Sequence, residues 1–270
     1  MITASVVTFG TSPQELERVV RCLRADNVAR IFIIDHSHDD TLASTALSLP
    51  DSEYLREPNR GFGAGHNLAI CKAIAIGADY HLVVNADVYW QEPLLARLES
   101  RMNADPEIGL MLPRVLYPDG KLQYVCKLLP SPADLIAARI PWLIPWRLNR
   151  YRLQKSGYSR TLNVPFLHGC FMLLRVDALR DVGLFDERFF LYMEDTDLCR
   201  RIHARYLTLY YPQASIYHAH ARASRSSMRM LGIHTRSALL YFKKWGWIKD
   251  SERKAMNRAV LDQLHGNSNF

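Results

Sequence analysis

The sequence predicts an α/β fold, with a Rossmann-like, mostly parallel central sheet and helices on both faces. Three observations carry this. Several short runs are β-branched and apolar throughout instead of alternating, as strands covered on both faces are. They alternate with segments of helical periodicity, the βαβ pattern of a parallel sheet. Glycines and acids collect just after the strands, where ligands bind in such sheets.

Ala4 to Phe9 is the expected first strand, and Pro13 to Leu23, after a Thr-Ser start, the first helix. Ile31 to Ile34 repeats the strand, Asp40 to Leu49 the helix, and Tyr54 to Leu55 marks a weaker third strand. After the glycine loop NRGFGAGHN, Leu68 to Ile76 reads as a helix and His81 to Val84 as the fourth strand. From Pro113 the pattern changes, and RVLYPDGKLQYV signals a hairpin turning at Asp119 and Gly120. A Pro-, Trp- and Arg-rich stretch at about 130–160 fits no sheet strand and reads as an insertion, because sheet-like runs resume at Leu162. The apolar segment CFMLLRV then precedes a short helix, the turn-like VGLFDERF and a second helix opened by Glu194, Asp195 and Asp197. Leu207 to Tyr211 and Ser215 to Tyr217 are further strands, and Met228, Leu231, Thr235, Ala238 and Phe242 line one side of a basic helix.

With 270 residues, 49% hydrophobic and 23% charged, the chain can bury a full core and is not disordered. A net charge of +7 favours a polyanionic partner, be it nucleic acid, anionic lipid or a phosphorylated substrate. The basic residues cluster in 139–160 and 222–244 without a recognised nucleic-acid motif, so no nucleic-acid partner is expected. Five scattered cysteines form no CxxC pair, which argues against structural zinc or a disulfide framework and for a reducing, cytoplasmic location. No basic leader precedes the first apolar residues, and no uncharged apolar run reaches about 18 residues, so neither secretion nor a membrane span is expected.

Asp35, in IIDHSHDD, suits a turn or cap, and equally an acceptor for a nucleobase N–H or a ribose hydroxyl. Asp87, in NADVYW, suits a turn or a hard oxygen ligand for magnesium or manganese bridging a nucleotide's phosphates. GFGAG is not the dinucleotide fingerprint, which needs glycine where His66 stands and belongs after the first strand. Its glycines permit a tight turn or close approach to a ligand. Acids at 194, 195 and 197 suit a helix N-terminus. Capping needs only one carboxylate, however, and the apolar run from Phe189 to Met193 is the kind of surrounding that raises a carboxylate's pKa and fits it for proton transfer. Both readings stay open on these residues alone. His218, at a strand end, can join a metal site.

Taken in order, IIDHSHDD, NRGFGAGHN, NADV, HGCFMLLR, GLFDERFFLYMEDTDLCRR and HAHARAS resemble glycosyltransferase family 2, most of all its rhamnosyltransferase-like branch in bacterial O-antigen and other surface-polysaccharide assembly. The likeness spans roughly 3–245. It implies a GT-A fold over 1–245, with a donor-binding half at about 1–112, an acceptor-side half at about 113–245 and a helical tail over 246–270. It also implies a nucleotide-sugar donor, a divalent cation, inversion at the anomeric carbon and a lipid-linked saccharide acceptor. Asp35 would hold the base. Asn59, Gly61, Gly63 and Asn85 would line the donor pocket, with Arg222 and Ser224 in a match to HxxxRxS. Asp87 and His218 would hold the metal, and Asp195, with Glu194 beside it, would be the catalytic base. Where many members have Asp or Asn-Pro-Asp, this chain has Asn85-Ala86-Asp87, and His36 stands where Asn is frequent. The expected donor is dTDP-rhamnose; a UDP-hexose donor, or a catalytically silent nucleotide-sugar-binding protein, are the alternatives. Tryptophans at 142, 146, 245 and 247 among arginines and lysines suit peripheral contact at the inner face of the cytoplasmic membrane.

Overall fold

A computed structural model of the chain describes residues 1–219 and 228–265. At the sheet's centre β1 (Ile2–Thr8) lies between β2 (Arg30–Asp35) and β4 (Tyr80–Asn85), with β3 (Ser52–Arg56) outside β2, all parallel. Beyond β4 come β10 (Phe171–Arg175), β6 (Ile108–Leu116), β11 (Leu207–His218) and β5 (Val88–Tyr89). β10 runs antiparallel to both neighbours, and β11 runs parallel to β6. β8 (Leu162–Asn163) pairs with β11, while β7 (Cys126–Lys127) and β9 (Phe166–Leu167) form a separate pair.

Helices cover both faces because successive strand side chains point oppositely. Ile31 and Ile33 of β2 join Leu16, Val19, Val20 and Leu23 of α1 (Pro13–Ala25) in one cluster, while Phe32 and Ile34 join Ala69 and Ala73 of α3 (Phe62–Ala75) in another. α1 starts where its sequence says it should: Ser12 and Glu15 form a capping box and Pro13 occupies the first turn. α2 (Ala43–Ser48) and α4 (Leu95–Asn103) follow β2 and β5.

Three differences from the sequence reading have physical causes. α3 begins six residues before Leu68, inside the glycine stretch, although each interior glycine costs about 1 kcal/mol against alanine. A Cβ at Gly63 would lie 2.8 Å from the Phe185 Cβ, and one at Gly65 2.7 Å from His36 Nε2, so close packing overrides propensity. The expected hairpin forms its turn, with the Tyr117 N–H donating to the Lys121 carbonyl at 2.7 Å, but its second arm makes only the Leu116–Leu122 bridge. The stretch expected as an insertion is helical, as α5 (Pro132–Arg139) and α6 (Pro145–Tyr151). Downstream lie α7 (Val176–Val182), α8 (Glu194–His203), α9 (Met228–Trp245) and α10 (Ser251–His265).

One buried polar chain crosses the core. His66 Nδ1 and His81 Nε2 both meet Ser5 Oγ, at 2.7 and 2.8 Å, and His81 Nδ1 meets Thr3 Oγ1 at 2.8 Å. Burial drives both imidazoles down, His66 well below its ordinary value and His81 to about 3. The unfolded chain takes up protons near pH 6.5 that folded His81 refuses until about pH 3. Its contribution to stability is therefore complete above pH 6.5 and is lost as pH falls toward 3. Lowering the pH from 7 to about 4.5 is expected to remove roughly 2–3 kcal/mol through His81 alone. Denaturant titrations at the two pH values check this, with a shallower acid-side slope expected for His81→Asn.

Candidate active site

The site assembles at the carboxyl edge of β1, β2 and β4, where the register sets Thr8 beside Asp35 and Val7 beside Asn85. Asp35 is fully buried and accepts hydrogen bonds from Thr8 Oγ1, the Ser37 N–H and the Tyr54 hydroxyl, each at 2.9 Å. Burial pushes its carboxyl up, but these donors outweigh it and hold the group below its ordinary value, so it is anionic at neutral pH. Burial and the neighbouring carboxylate push Tyr54 up to about 12.

Asn59 Oδ1 accepts from the Gly61 N–H at 3.1 Å, turning the chain into α3. Gly61 has a φ of 106°, and a Cβ there would lie 2.2 Å from the Phe190 carbonyl oxygen, so no other residue fits. The Phe62 N–H donates to that same carbonyl at 2.9 Å. Asn67 clamps Phe185 from both sides, donating to its carbonyl at 2.9 Å and accepting from its N–H at 3.0 Å. The absent side chains of Gly61 and Gly63 thus let the 185–190 segment seat on α3, which fixes the approach to α8.

Asn85 ends β4 and donates its N–H to the Cys170 carbonyl at 3.0 Å, tying the HGC segment to the same edge. Two residues on, Asp87 Oδ1 lies 3.4 Å from His218 Nε2. His218 is 2% exposed, with Nδ1 donating to Gln123 Oε1 at 3.1 Å and its carbonyl accepting from Gln123 Nε2 at 2.7 Å. That clamp turns Nε2 toward Asp87. Burial pulls the imidazole down, and the Cys170 sulfur and Asp87 outweigh it, lifting His218 to about 10, so that a cation bound there would have to displace a proton. The His168 ring stands 6.0 Å from that of His218. An oxygen and a nitrogen 3.4 Å apart match adjacent ligands on one ion bound at about 2.0–2.2 Å, and a mixed carboxylate–imidazole pair suits manganese better than magnesium. Among the described residues no group of three or more His, Cys, Asp and Glu side chains forms a fuller metal cage.

The acids that open α8 part company. Asp197 is fully buried and neutralised, by Lys244 Nζ at 2.6 Å and Arg201 Nε at 2.9 Å, and takes a bond from Trp245 Nε1 at 2.8 Å. Its work is structural. The helix's N-cap is Met193, with no side-chain cap. Asp195 Oδ2 accepts from the Gly169 N–H at 3.0 Å and its Oδ1 from the Thr196 N–H at 2.7 Å. Glu194 is 4% exposed, and among the described residues its Oε2 has no hydrogen-bond partner. Burial, then the charge of Asp195, drives Glu194 well above the ordinary range, whereas Asp195 is raised by burial but steadied by its donors. The nearby charge of Lys127 also opposes the rise of Asp195, so Glu194 is the one of the pair driven further toward its neutral form. Tyr192 and Met193, both at a φ of 69°, bend the chain sharply into this position, a left-handed backbone that bulky residues rarely adopt.

The C-terminal segment, expected as a tail, fastens α8 from behind. Arg200 is 1% exposed, makes a two-pronged pair with Asp250 at 2.7 and 2.8 Å, meets Glu252 at 2.7 Å and stacks 4.1 Å over the Trp245 ring. Trp245 is thus partly buried and committed to packing within the protein.

The sequence reading missed Thr8, Tyr54 and Gln123. Thr8 and Tyr54 could have been found as strand residues flanking Asp35, but Gln123 lies 95 positions from His218 and nothing local marks it. Arg222 and Ser224 lie outside the described residues.

The family model for Glycosyl transferase family 2 matches residues 4–183. The N-acetylglucosaminyl-diphospho-decaprenol L-rhamnosyltransferase of Mycobacterium tuberculosis is 29% identical over 283 residues, covering 96% of this chain and 90% of that protein. Rhamnosyltransferase WbbL of Escherichia coli K12 is 24% identical over 256 residues, covering 90% of this chain and 93% of that one. Among solved structures, the mannosyltransferase PcManGT from Pyrobaculum calidifontis, in complex with GDP-Man and Mn2+, superposes with a TM-score of 0.55 at 17% identity, covering all of this chain and 76% of that one.

Proposed function

The chain belongs to glycosyl transferase family 2 and has the GT-A fold, and from that premise we infer that it moves rhamnose, with inversion, from dTDP-rhamnose to a lipid-linked saccharide in surface-polysaccharide assembly. The observation that carries the reading is the placement of an anionic Asp35, the Asp87–His218 pair and a half-buried Asp195 along one sheet edge. The rhamnosyl donor and the N-acetylglucosaminyl diphospholipid acceptor are supported by rhamnosyltransferase relatives that span at least 90% of this chain.

In this reading Asp35 accepts hydrogen bonds from the nucleoside, and Asn59 and Gly61 shape the loop beside it. Asp87 and His218 would hold a divalent cation, manganese or magnesium, which would supply Lewis-acid stabilisation for the departing diphosphate. Asp195, fixed by Gly169 and Thr196, takes the proton from the acceptor hydroxyl as that oxygen attacks the anomeric carbon. One base and one displacement give inversion, and the good leaving group needs no acid from the protein. Burial and the charge of Asp195 drive Glu194 toward its neutral form, which favours Asp195 of the two as base. Turnover of a panel of nucleotide-sugars with manganese present tests the donor, with dTDP-rhamnose expected fastest; a UDP-hexose turning over faster would replace it.

No helix among the described residues is long and apolar enough to cross a membrane. A peripheral contact at the inner face of the cytoplasmic membrane is supported by Trp142 and Leu143, between α5 and α6, and Trp146, in the first turn of α6, which are 80%, 60% and 67% exposed. Arg150 is exposed beside them, whereas Arg147 is engaged at 2.8 Å with Asp134. Exposed aromatics flanked by a free cation suit the headgroup boundary. Cosedimentation with anionic liposomes at low salt is expected, weakening as salt rises and falling in Trp142→Ala/Trp146→Ala. Equal, negligible binding to anionic and neutral liposomes would exclude it.

A further inference from the structure

Lys127 is a half-buried ammonium, and among the described residues no carboxylate lies within the 4.0 Å of an ion pair. Its Nζ sits 4.8 Å from the Phe166 ring centre, a contact that shelters the charge without neutralising it. A charge so placed is costly unless an anion meets it. Other cations nearby are already matched, Arg147 by Asp134 and Lys244 by Asp186 and Asp197. Lys127 is different, and its position is set by the machinery of the base. Pairing of β7 with β9 puts Lys127 opposite Phe166 and Cys126 opposite Leu167; two residues beyond Leu167, the Gly169 N–H holds Asp195.

Two further groups converge on the same place from other elements. His234 of α9 lies edge-on to Tyr192 at 5.1 Å, just ahead of Glu194. Arg139, the last residue of α5, is exposed and has no ion-pair partner among the described residues. The charge of Asp195 acts on both Lys127 and His234, and those of Arg139 and Lys127 act on His234, so the groups share one locality around the base. Arg152 adds positive charge toward Lys127.

We propose that Lys127, Arg139 and His234 bind the diphosphate of the lipid-linked acceptor, holding it about one sugar ring away from Asp195. The inference rests on the reading of this site as a saccharide transferase. An acceptor sugar carried on a diphosphate presents its hydroxyl to the base on one side and two phosphates on the other. Two cations and an imidazole, drawn from three elements, match that anion in charge and hydrogen-bonding capacity. In the parent reading the donor's diphosphate would be neutralised by the cation that Asp87 and His218 would hold, so the reaction brings two diphosphates that need separate places. Exposed Trp142 and Trp146 follow Arg139 closely in the chain, where the acceptor's lipid would leave the protein.

The test compares two acceptors, N-acetylglucosaminyl diphosphate on a short prenyl chain and neutral octyl N-acetylglucosaminide, in wild type, Lys127→Met, Arg139→Gln and the double variant. The ratio of kcat/KM for the diphosphate acceptor to that for the neutral one is expected to fall by about 10–10²-fold, mostly through the acceptor KM. A parallel loss with both acceptors would mean that these residues merely support Asp195 and would overturn the proposal. A change confined to the KM for the nucleotide-sugar would assign them to the donor and overturn it equally. If wild type glycosylates neither acceptor, the parent reading fails first and the inference with it.

Discussion

Asp195→Asn is expected to lower kcat by at least about 10²-fold while leaving the fold and donor binding intact, because an amide keeps the shape but cannot take the acceptor proton. The geometry makes this a clean substitution. The Asn side chain can still accept from the Gly169 or Thr196 N–H, which now hold Asp195 at 3.0 and 2.7 Å. Glu194→Gln is expected to cost far less, since burial already drives Glu194 toward its neutral form and its Oε2 has no hydrogen-bond partner among the described residues. Single-turnover rates, with donor affinity measured separately, distinguish a lost base from lost binding. Wild-type rates in Asp195→Asn together with a collapse in Glu194→Gln would move the base to Glu194. Because burial raises Asp195, the acid limb of the wild-type pH–rate profile is expected above the ordinary aspartate value, and Asp195→Asn should flatten it.

The second large effect is on the cation. Excess chelator is expected to abolish transfer, with manganese restoring it. Asp87→Ala and His218→Ala should each raise the manganese concentration needed for half-maximal rate by about 10-fold or more, as lost ligands or their orienting partners do. Gln123→Ala tests the support behind the ligand, because Gln123 holds both the ring and the carbonyl of His218. Its cost should be smaller and of the same kind. Full activity in excess chelator, with bound metal excluded by elemental analysis, would remove the cation from the mechanism.

Legibility in the sequence followed the range of the interactions. The strand-to-helix alternation of the first half is local, and β1, β2 and β4 lie close to where periodicity set them. Asp35 and Asp87 were legible because an acid at a strand's carboxyl end is a local signal with a known geometry. The start of α3 was not, since what tolerates Gly63 and Gly65 in a helix is contact with Phe185, His36 and Val7 from distant segments. Nor could the acids of α8 be sorted in the sequence. Arg201, four residues on, gives Asp197 one local partner, but its assignment to structure is completed by Lys244 and by Trp245, 48 positions away. The tryptophans divide in the same manner. Trp245 is committed to Arg200 inside the protein, whereas Trp142 and Trp146 face outward, and their flanking sequences do not separate the two fates.

The most direct test of the account is to incubate the protein with dTDP-rhamnose, manganese and N-acetylglucosaminyl diphosphate on a prenyl chain, and to read the lipid product by mass spectrometry and its new linkage by NMR. The account predicts a mass gain of one deoxyhexose, joined with the anomeric configuration opposite to that of the donor, and no such product from Asp195→Asn on the wild-type timescale. A product with retained configuration, or transfer from another nucleotide-sugar while dTDP-rhamnose stays untouched, would contradict it.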